Sequence, residues 1–303
     1  MAGRRNEISH NKMQAKSVAC NRGVACHASA SLCKYCNSTS CNNNADEKRY
    51  SSIGWLNLII ILYNMILPRG CAGCNTPDLV LCENCVDAFQ HNKRAQFNSM
   101  TFGYRYSCGD YSGVVRHAIL QWKDHADTAC DKIFGLLIAN LVLKVFRNNI
   151  KDNSSKNSFN SNGPILVVPM PSSSSSTRRR GRRHIIPIAN IVAEKLCNEG
   201  IEAKVANIVR MDSSINSKSV QTSGSRGRSK RASHAFCVNY RKLKKQSNNR
   251  NLKHEAIIID DIVTTGSTMS SCVYALQKAK VSVISGFSLA CVSSSGDGTE
   301  DYK

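Results

Sequence analysis

The sequence predicts an α/β protein, with a mainly parallel sheet flanked by helices and a small metal-binding module in front of it. Three observations carry that expectation. From residue 100 onward, short apolar runs alternate with stretches of helical periodicity. Two Cys-x-x-Cys pairs stand seven residues apart within 71-CAGCNTPDLVLCENC-85. An apolar run at 256–259 ends on two adjacent carboxylates and a hydroxyl-rich glycine loop.

A chain of 303 residues has room for one good-sized core and an accessory module. Lys and Arg outnumber Asp and Glu by 41 to 21, a formal charge of +20, which suits a polyanionic partner and equally fits solvated basic loops. Fifteen cysteines, several in Cys-x-x-Cys pairs, fit reduced and metal-bound thiols better than a disulfide framework in so long a chain. The first 50 residues are polar and lack the apolar stretch of a secretory signal, so the expected location is the cytoplasm.

Residues 1–52 are rich in Asn, Ser, Lys and Arg, and too poor in large apolar residues to offset their ordering entropy, so a disordered tail is expected. Of its five cysteines only Cys33 and Cys36 have ligand-pair spacing, and no site is assigned there. Next, 53-IGWLNLIIILYNMIL-67 is 15 residues long, short of the roughly 20 needed to span a bilayer. Leu56, Ile59, Ile60, Tyr63, Ile66 and Leu67 recur at helical spacing, which predicts a docking or core helix and no membrane span. This helix and the cysteine module form one region, 53–99. An α/β domain follows over 100–295, and 296–303 is read as a C-terminal tail.

Cys71, Cys74, Cys82 and Cys85 supply four thiolates on two tight knuckles, the donor set that tetrahedral zinc takes in structural sites. Gly73 and Asn84 are expected to absorb awkward backbone angles there. With all four ligands from protein the site is closed, so the zinc is expected to fold the module and not to catalyse.

Within the domain, Val114, Val115, Ala118, Ile119 and Trp122 form one helical stripe. Ile133, Phe134, Leu137, Leu141, Val145 and Phe146 form another. The polar stretch 151–164 is a surface loop, and 165-ILVVPMP-171 a buried strand stopped by prolines. A helix with Ile188, Ile191, Val192 and Leu196 on one face follows. Strands are expected at 205-VANIVRM-211, 256-AIIID-260 and 281-VSVIS-285. The last two are linked by a helix that lines up Met269, Cys272, Val273 and Leu276.

Ligands of such sheets sit beyond the carboxyl ends of the strands. Asp260 and Asp261 stand at that end, and a helix starts just after Gly266. Its first N–H groups, with the hydroxyls of Thr264, Thr265, Ser267 and Thr268, make a pocket for a phosphate. Carboxylates cannot hold that phosphate, but they accept hydrogen bonds from a diol or act through a divalent metal. A ligand with a phosphate at one end and a ribose diol at the other satisfies both halves.

The twelve residues 257-IIIDDIVTTGST-268 resemble the phosphoribosyl-pyrophosphate (PRPP) motif of type I phosphoribosyltransferases. The whole arrangement resembles the ComF family of competence-related proteins, which carry a four-cysteine zinc module before a type I phosphoribosyltransferase-like domain. The likeness runs over roughly 60–292: Pro68, 110-DYSGVVRHAILQWK-123, 167-VVPMP-171, 178-RRRGRRH-184, 218-KSVQTSGSRGRSKRASHAF-236 and the PRPP loop.

That resemblance implies that Asp260 and Asp261 face the ribose hydroxyls, and that Thr264, Thr265, Gly266, Ser267 and Thr268 cradle the 5′-phosphate. It also implies that Arg178, Arg179, Arg180, Arg182, Arg183 and Arg228 meet pyrophosphate or nucleic acid, with Mg²⁺ accompanying PRPP. The stretch 218–236 corresponds to a flap over the site. The implied function is binding of PRPP or a nucleotide-like ligand in DNA uptake or processing, with single-stranded DNA and a competence or helicase protein as partners. The alternative is an active phosphoribosyltransferase acting on a base or amine.

Departures from the family pattern are Arg182, Arg183 and His184 in place of Phe-Asn-Gln, a flap one residue shorter, and Arg231 in place of Asn. Thr264 stands where purine-salvage relatives carry a general-base Asp, and a threonine cannot deprotonate a purine near neutral pH, which disfavours 6-oxopurine salvage. His117, His125, His184 and His234 have no evident carboxylate partner in sequence and are read as surface or phosphate-contact residues.

Overall fold

Ile257, Ile258 and Ile259 are all fully buried because the strand that carries them is covered on both faces, which a continuous β-branched run favours. The computed structural model describes residues 69–152, 163–211, 235–246, 254–293 and 298–302, all within the unit Ile59–Lys303. The tail at 1–52, the apolar helix at 53–67, most of the loop at 151–164, nearly all of the flap at 218–236, and Arg228, Arg231 and His234 with it, lie outside the described residues.

The strands are β1 (Lys93–Gln96), β2 (Tyr104–Asp110), β3 (Ile165–Pro169), β4 (Ala203–Val205), β5 (Val209–Met211), β6 (Phe236–Val238), β7 (His254–Val263), β8 (Val281–Cys291) and β9 (Thr299–Asp301). Seven of them form one sheet in the order β4-β3-β7-β8-β2-β1-β9. Every pair from β4 to β2 is parallel, and β1 joins β2 and β9 antiparallel. The fold is therefore α/β with a mostly parallel, mixed sheet. A separate antiparallel ribbon pairs β5 with β6.

The helices are α1 (Glu83–Ala88), α2 (Gly113–Asp124), α3 (Cys130–Asp152), α4 (Ser174–Arg180), α5 (Ile185–Asn198), α6 (Tyr240–Lys244) and α7 (Ser267–Lys278). Their buried stripes follow the sequence pattern. In α2 the buried residues are Val115, Ala118, Ile119 and Trp122, and in α7 they include Met269, Cys272, Val273 and Leu276. The sheet divides the core in two. Ile257 and Ile259 of β7, with Ile165 and Val167 of β3, pack with α2, α3 and α5. Ala256 and Ile258, with Leu166 and Val168, pack with α7 on the other face.

Four features differ from the sequence expectation. The run 205–211 is not one strand: β4 ends at Val205 and β5 begins at Val209 in the separate ribbon. Hydropathy shows an apolar run but not the point at which the chain leaves a sheet. Strands β7 and β8 run three and six residues beyond the expected ends at 260 and 285. Strand β2 was hidden because its buried face carries Ser107, whose hydroxyl bonds Ser288 Oγ of β8 at 2.7 Å. The stretch read as a C-terminal tail contributes β9, which pairs with β1 through Lys93, Arg94 and Ala95.

The described part of the cysteine module shares the domain's core. Cys71, Leu81, Cys85 and Phe89 belong to the same buried cluster as Trp122 and Phe134, and the Phe89 and Phe134 rings are 5.3 Å apart.

Candidate functional site

The four module cysteines converge, with all Sγ atoms within 4.8 Å of one another. A tetrahedral zinc thiolate site needs sulfur–sulfur edges of about 3.8 Å, given zinc–sulfur bonds of roughly 2.3 Å. Cys74 and Cys82 already stand 3.5 Å apart, and the Cys82 backbone N–H donates to Cys71 Sγ at 3.3 Å. The cluster can hold a metal ion, and its chemistry is that of a structural zinc site. The awkward backbone angles fall on Asn75 and Asp78, both at φ 63°, and not on Gly73 or Asn84. Gly73 is required for another reason: a Cβ there would lie 2.6 Å from Cys85 Sγ. Its carbonyl accepts from or faces His117 Nδ1 of α2 at 2.9 Å, which ties the knuckle to the domain.

At the other end of α2 the second site begins. Strand periodicity places Asp260 and Asp261 on opposite faces of β7. Asp261 lies on the side of α2 and α5, 7% exposed. There its Oδ2 meets His184 Nε2 at 2.7 Å and the Lys123 ammonium, while Oδ1 accepts the Ile262 backbone N–H at 2.7 Å. Burial works against ionisation of this carboxyl, but the His184 hydrogen bond and the Lys123 charge outweigh it and hold its pKa well below the usual carboxylate range.

Asp260 makes no salt bridge among the described residues, although the Lys123 charge also favours its ionised form. Its Oδ1 accepts the Asp261 backbone N–H at 2.8 Å. Burial, then the neighbouring Asp261 charge, raise its pKa well above the usual range. The two adjacent carboxyls are thus shifted in opposite directions, Asp261 toward the ionised form and Asp260 toward the protonated one.

Both carboxylates line a cavity of about 250 Å³ beyond the carboxyl ends of β3 and β7. Thr264, Gly266 and Thr268 form another wall of it, as do Ser172, Ser173, Ser176 and Arg180. Gly266 at φ +79° caps α7, a left-handed angle that a glycine adopts without steric cost and that turns the chain sharply from strand to helix. Thr265 Oγ1 accepts the Ser267 N–H at 3.4 Å. The loop residues Thr264, Thr265, Ser267 and Thr268 are exposed, so their hydroxyls are accessible to an anion at the start of α7.

The arginine segment separates into two kinds. Arg182 is bound bidentately by Asp131, at 2.6 and 3.1 Å, and Asp131 also accepts from Trp122 Nε1; Arg182 is a structural brace. Arg180 lines the cavity while its Nε donates to Asp124 at 3.2 Å, and Arg179 stands 3.5 Å from the same carboxylate. Arg178 and Arg183 are exposed.

His184 corrects a sequence expectation. It is not a surface residue: it is 2% exposed, hydrogen-bonded to Asp261, and set edge-on to Trp122 at 4.9 Å. Its carboxylate partner is 77 residues away in sequence, and only the parity of β7 against α5 brings them together. Lys123 was missed for the same reason.

No family model matches the sequence, and no curated protein matches it. Among solved structures, two described as HPRTs with an invariant aspartic acid changed to glutamic acid or to alanine are similar over 52% of this chain and 79% of theirs. Identities are 11% and 12%, and TM-scores 0.31 and 0.30. A likeness this weak and partial carries no argument about the site, and it does not single out the ComF family.

Two outcomes are expected from this geometry. Metal analysis of the purified full chain should return one zinc, lost in the Cys71→Ser/Cys74→Ser variant together with much of its thermal stability. A zinc-free chain of unchanged stability would refute the module. Asp261→Ala should lower unfolding stability in urea by about 3 kcal/mol, because it leaves Lys123 and His184 without their carboxylate. Since the Asp261 pKa is depressed on folding, this contribution is fully present above the ordinary carboxylate pKa and fades as pH falls through the lower, folded value. The variant should therefore show a shallower acid-side loss of stability than the wild type.

Proposed function

We propose that the chain binds PRPP or a related phosphorylated ribose ligand in the cavity beyond β7, as a ComF-type protein of the phosphoribosyltransferase fold. One observation carries the reading: a half-buried carboxyl without a salt bridge among the described residues, Asp260, and a hydroxyl-lined helix start share one cavity. A 5′-phosphate meets the Thr264–Thr268 loop and the N-terminus of α7, where N–H groups and the helix dipole favour an anion. The ribose hydroxyls donate to Asp260, which relieves the cost of its burial. Arg180 and the serines opposite face the diphosphate. Asp260 would help to hold the Mg²⁺ that accompanies PRPP, whose charge would offset that of the diphosphate.

Asp261 has a positioning role in this reading. Its salt bridge to Lys123 and hydrogen bond to His184 fix the tip of β7 against α2 and α5, and so fix the distance from Asp260 to the phosphate loop.

A second reading, transfer of the phosphoribosyl group to a base or amine, is favoured by one observation. A second cavity of about 390 Å³ shares Met170, Pro171, Ser172 and Ile185 with the first. Thr264 is the residue of the phosphate loop nearest the strand and offers no carboxylate to deprotonate a purine, which argues against 6-oxopurine acceptors. The role in DNA uptake or processing rests on the family resemblance and the basic charge. It predicts that single-stranded DNA binding weakens steeply with salt, with a logarithmic slope of about −0.7 per neutralised phosphate, and is reduced in Arg178→Ala/Arg179→Ala. Salt-insensitive or absent binding removes that role.

Calorimetric titration of Mg-PRPP into the full chain is expected to give one site per chain, weakened at least tenfold in Asp260→Asn. The raised pKa of Asp260 means that its ionised form is disfavoured by folding, a cost that is present above the ordinary carboxylate pKa. Asp260→Asn should accordingly raise Tm near neutral pH, by about 2–4 °C if the relief is about 1 kcal/mol. No binding to either protein overturns the proposal.

A further inference from the structure

Behind the phosphate loop lies a buried guanidinium that takes no part in lining the cavity. Arg105 of β2 is 7% exposed, while the cavity wall at the loop is made by Thr264, Gly266 and Thr268. Its Nη1 donates to the Thr264 carbonyl at 3.4 Å. A Cβ on Gly266 would rest 3.5 Å from both Cζ and Nη1 of Arg105, and as close to the Phe97 ring. The charged group therefore lies directly against the loop, on the side that the cavity does not reach.

Sheet register accounts for this placement. Arg105 stands opposite Gly286 of β8 in the parallel pairing. Gly286 lets the first turn of α7 settle onto the sheet, because a Cβ there would collide with Met269 Sδ. The start of α7 is thus drawn down beside the strand that carries Arg105.

The result runs against ordinary helix electrostatics. A helix N-terminus carries partial positive charge, and cations are favoured at the opposite end. Here a full positive charge is held in contact with Gly266, the residue that caps α7. Arg178 and Arg183 are exposed, where water screens them. Arg105 is screened mainly by protein, so its charge acts more strongly on its surroundings. The helix start and the guanidinium add their fields at one loop, and an anion seated on the loop's open side is favourable to both. A doubly charged anion gains more from that field than a singly charged one.

We infer that Arg105 is a positioning and specificity-determining residue of the phosphate loop. Without touching the ligand, it holds the Thr264 carbonyl oxygen on the back of the loop and favours a dianionic phosphate over a monoanion. The inference rests on the ribose–phosphate reading above for the identity of the ligand.

The test compares ribose 5-phosphate with ribose 5-sulfate, esters of the same shape that differ by one charge at about pH 8, where a phosphate monoester carries close to two. Dissociation constants are measured by calorimetry for the zinc-loaded full chain and for its Arg105→Met and Arg105→Lys variants. The wild type is expected to prefer the phosphate by about tenfold. Arg105→Met, which keeps the bulk of the side chain without its charge, should lower that preference to about threefold or less. Arg105→Lys should weaken both esters yet keep most of the preference, since it retains the charge and loses the planar fork. A loop that is only misshapen weakens both esters alike, so the ratio separates charge selection from scaffolding. Arg105→Gln takes the place of Arg105→Met if the latter does not fold.

Equal affinity of the wild type for the two esters overturns the inference with no variant needed. So does a preference that survives intact in Arg105→Met or Arg105→Gln, or one that is lost in Arg105→Lys. Mg-PRPP binding alongside any of these results leaves the ribose–phosphate reading standing and removes only the role of Arg105. No binding of ribose 5-phosphate or Mg-PRPP to the wild type defeats that reading and the inference with it.

Discussion

A buried carboxylate must be neutralised where it stands, and the architecture around the tip of β7 follows from that constraint at Asp261. The charge sits 7% exposed at the end of a strand covered on both faces. Lys123 arrives from the last turn of α2 and His184 from the residue that precedes α5. These are two of the three helices whose buried stripes close that face of the sheet, so the ion pair and the hydrophobic packing demand the same placement. Removing Asp261 would leave both Lys123 and the buried His184 without their carboxylate, which costs far more than the contact contributes when intact. The pair is thus better described as a specifier of register than as a source of stability.

From Asp261 the constraint spreads to the metal centre. His184 lies edge-on to Trp122, Trp122 edge-on to Phe134 at 5.3 Å, and Phe134 packs on Phe89 beside the cysteines. His117, one turn and a half before Trp122 on α2, reaches the Gly73 carbonyl of the first knuckle. One helix therefore holds the cysteine cluster at its start and the β7 carboxylate at its end. Packing thus joins the cysteine cluster to the cavity, since the knuckle anchors α2 and α2 carries Lys123.

Sequence patterns made the frame of this fold legible and left its decisive contacts hidden. The buried stripes of α2, α3, α5 and α7 follow helical spacing, and the isoleucine run of β7 reads as a doubly covered strand, because both are set by local periodicity. The four cysteines could be paired into one cluster because ligand spacing is local as well. Strands β1, β2 and β9 were not legible: the buried positions of β2 include Arg105 and Ser107, and β1 and β9 are short strands at one edge of the sheet that bury one residue and none. The Lys123–Asp261–His184 contact was invisible for a related reason. No short-range pattern links residues 123, 184 and 261, and only the alternation of β7 sets Asp261 toward one layer and Asp260 toward the other.

That alternation is also what divides labour between the two carboxylates. Had both pointed to the same face, Lys123 and His184 would neutralise the pair together, and the cavity would present no uncompensated charge to a ligand. Because they diverge, Asp261 spends its charge on holding the strand tip, while Asp260 is left without a salt bridge among the described residues and with its proton affinity raised by burial and by its neighbour. A group in that state gains most from a ligand hydroxyl or a divalent cation, since binding removes a cost that the free protein carries. Because Lys123 and His184 fix Asp261 so firmly, the half-buried Asp260 beside it faces the cavity without a salt bridge of its own among the described residues.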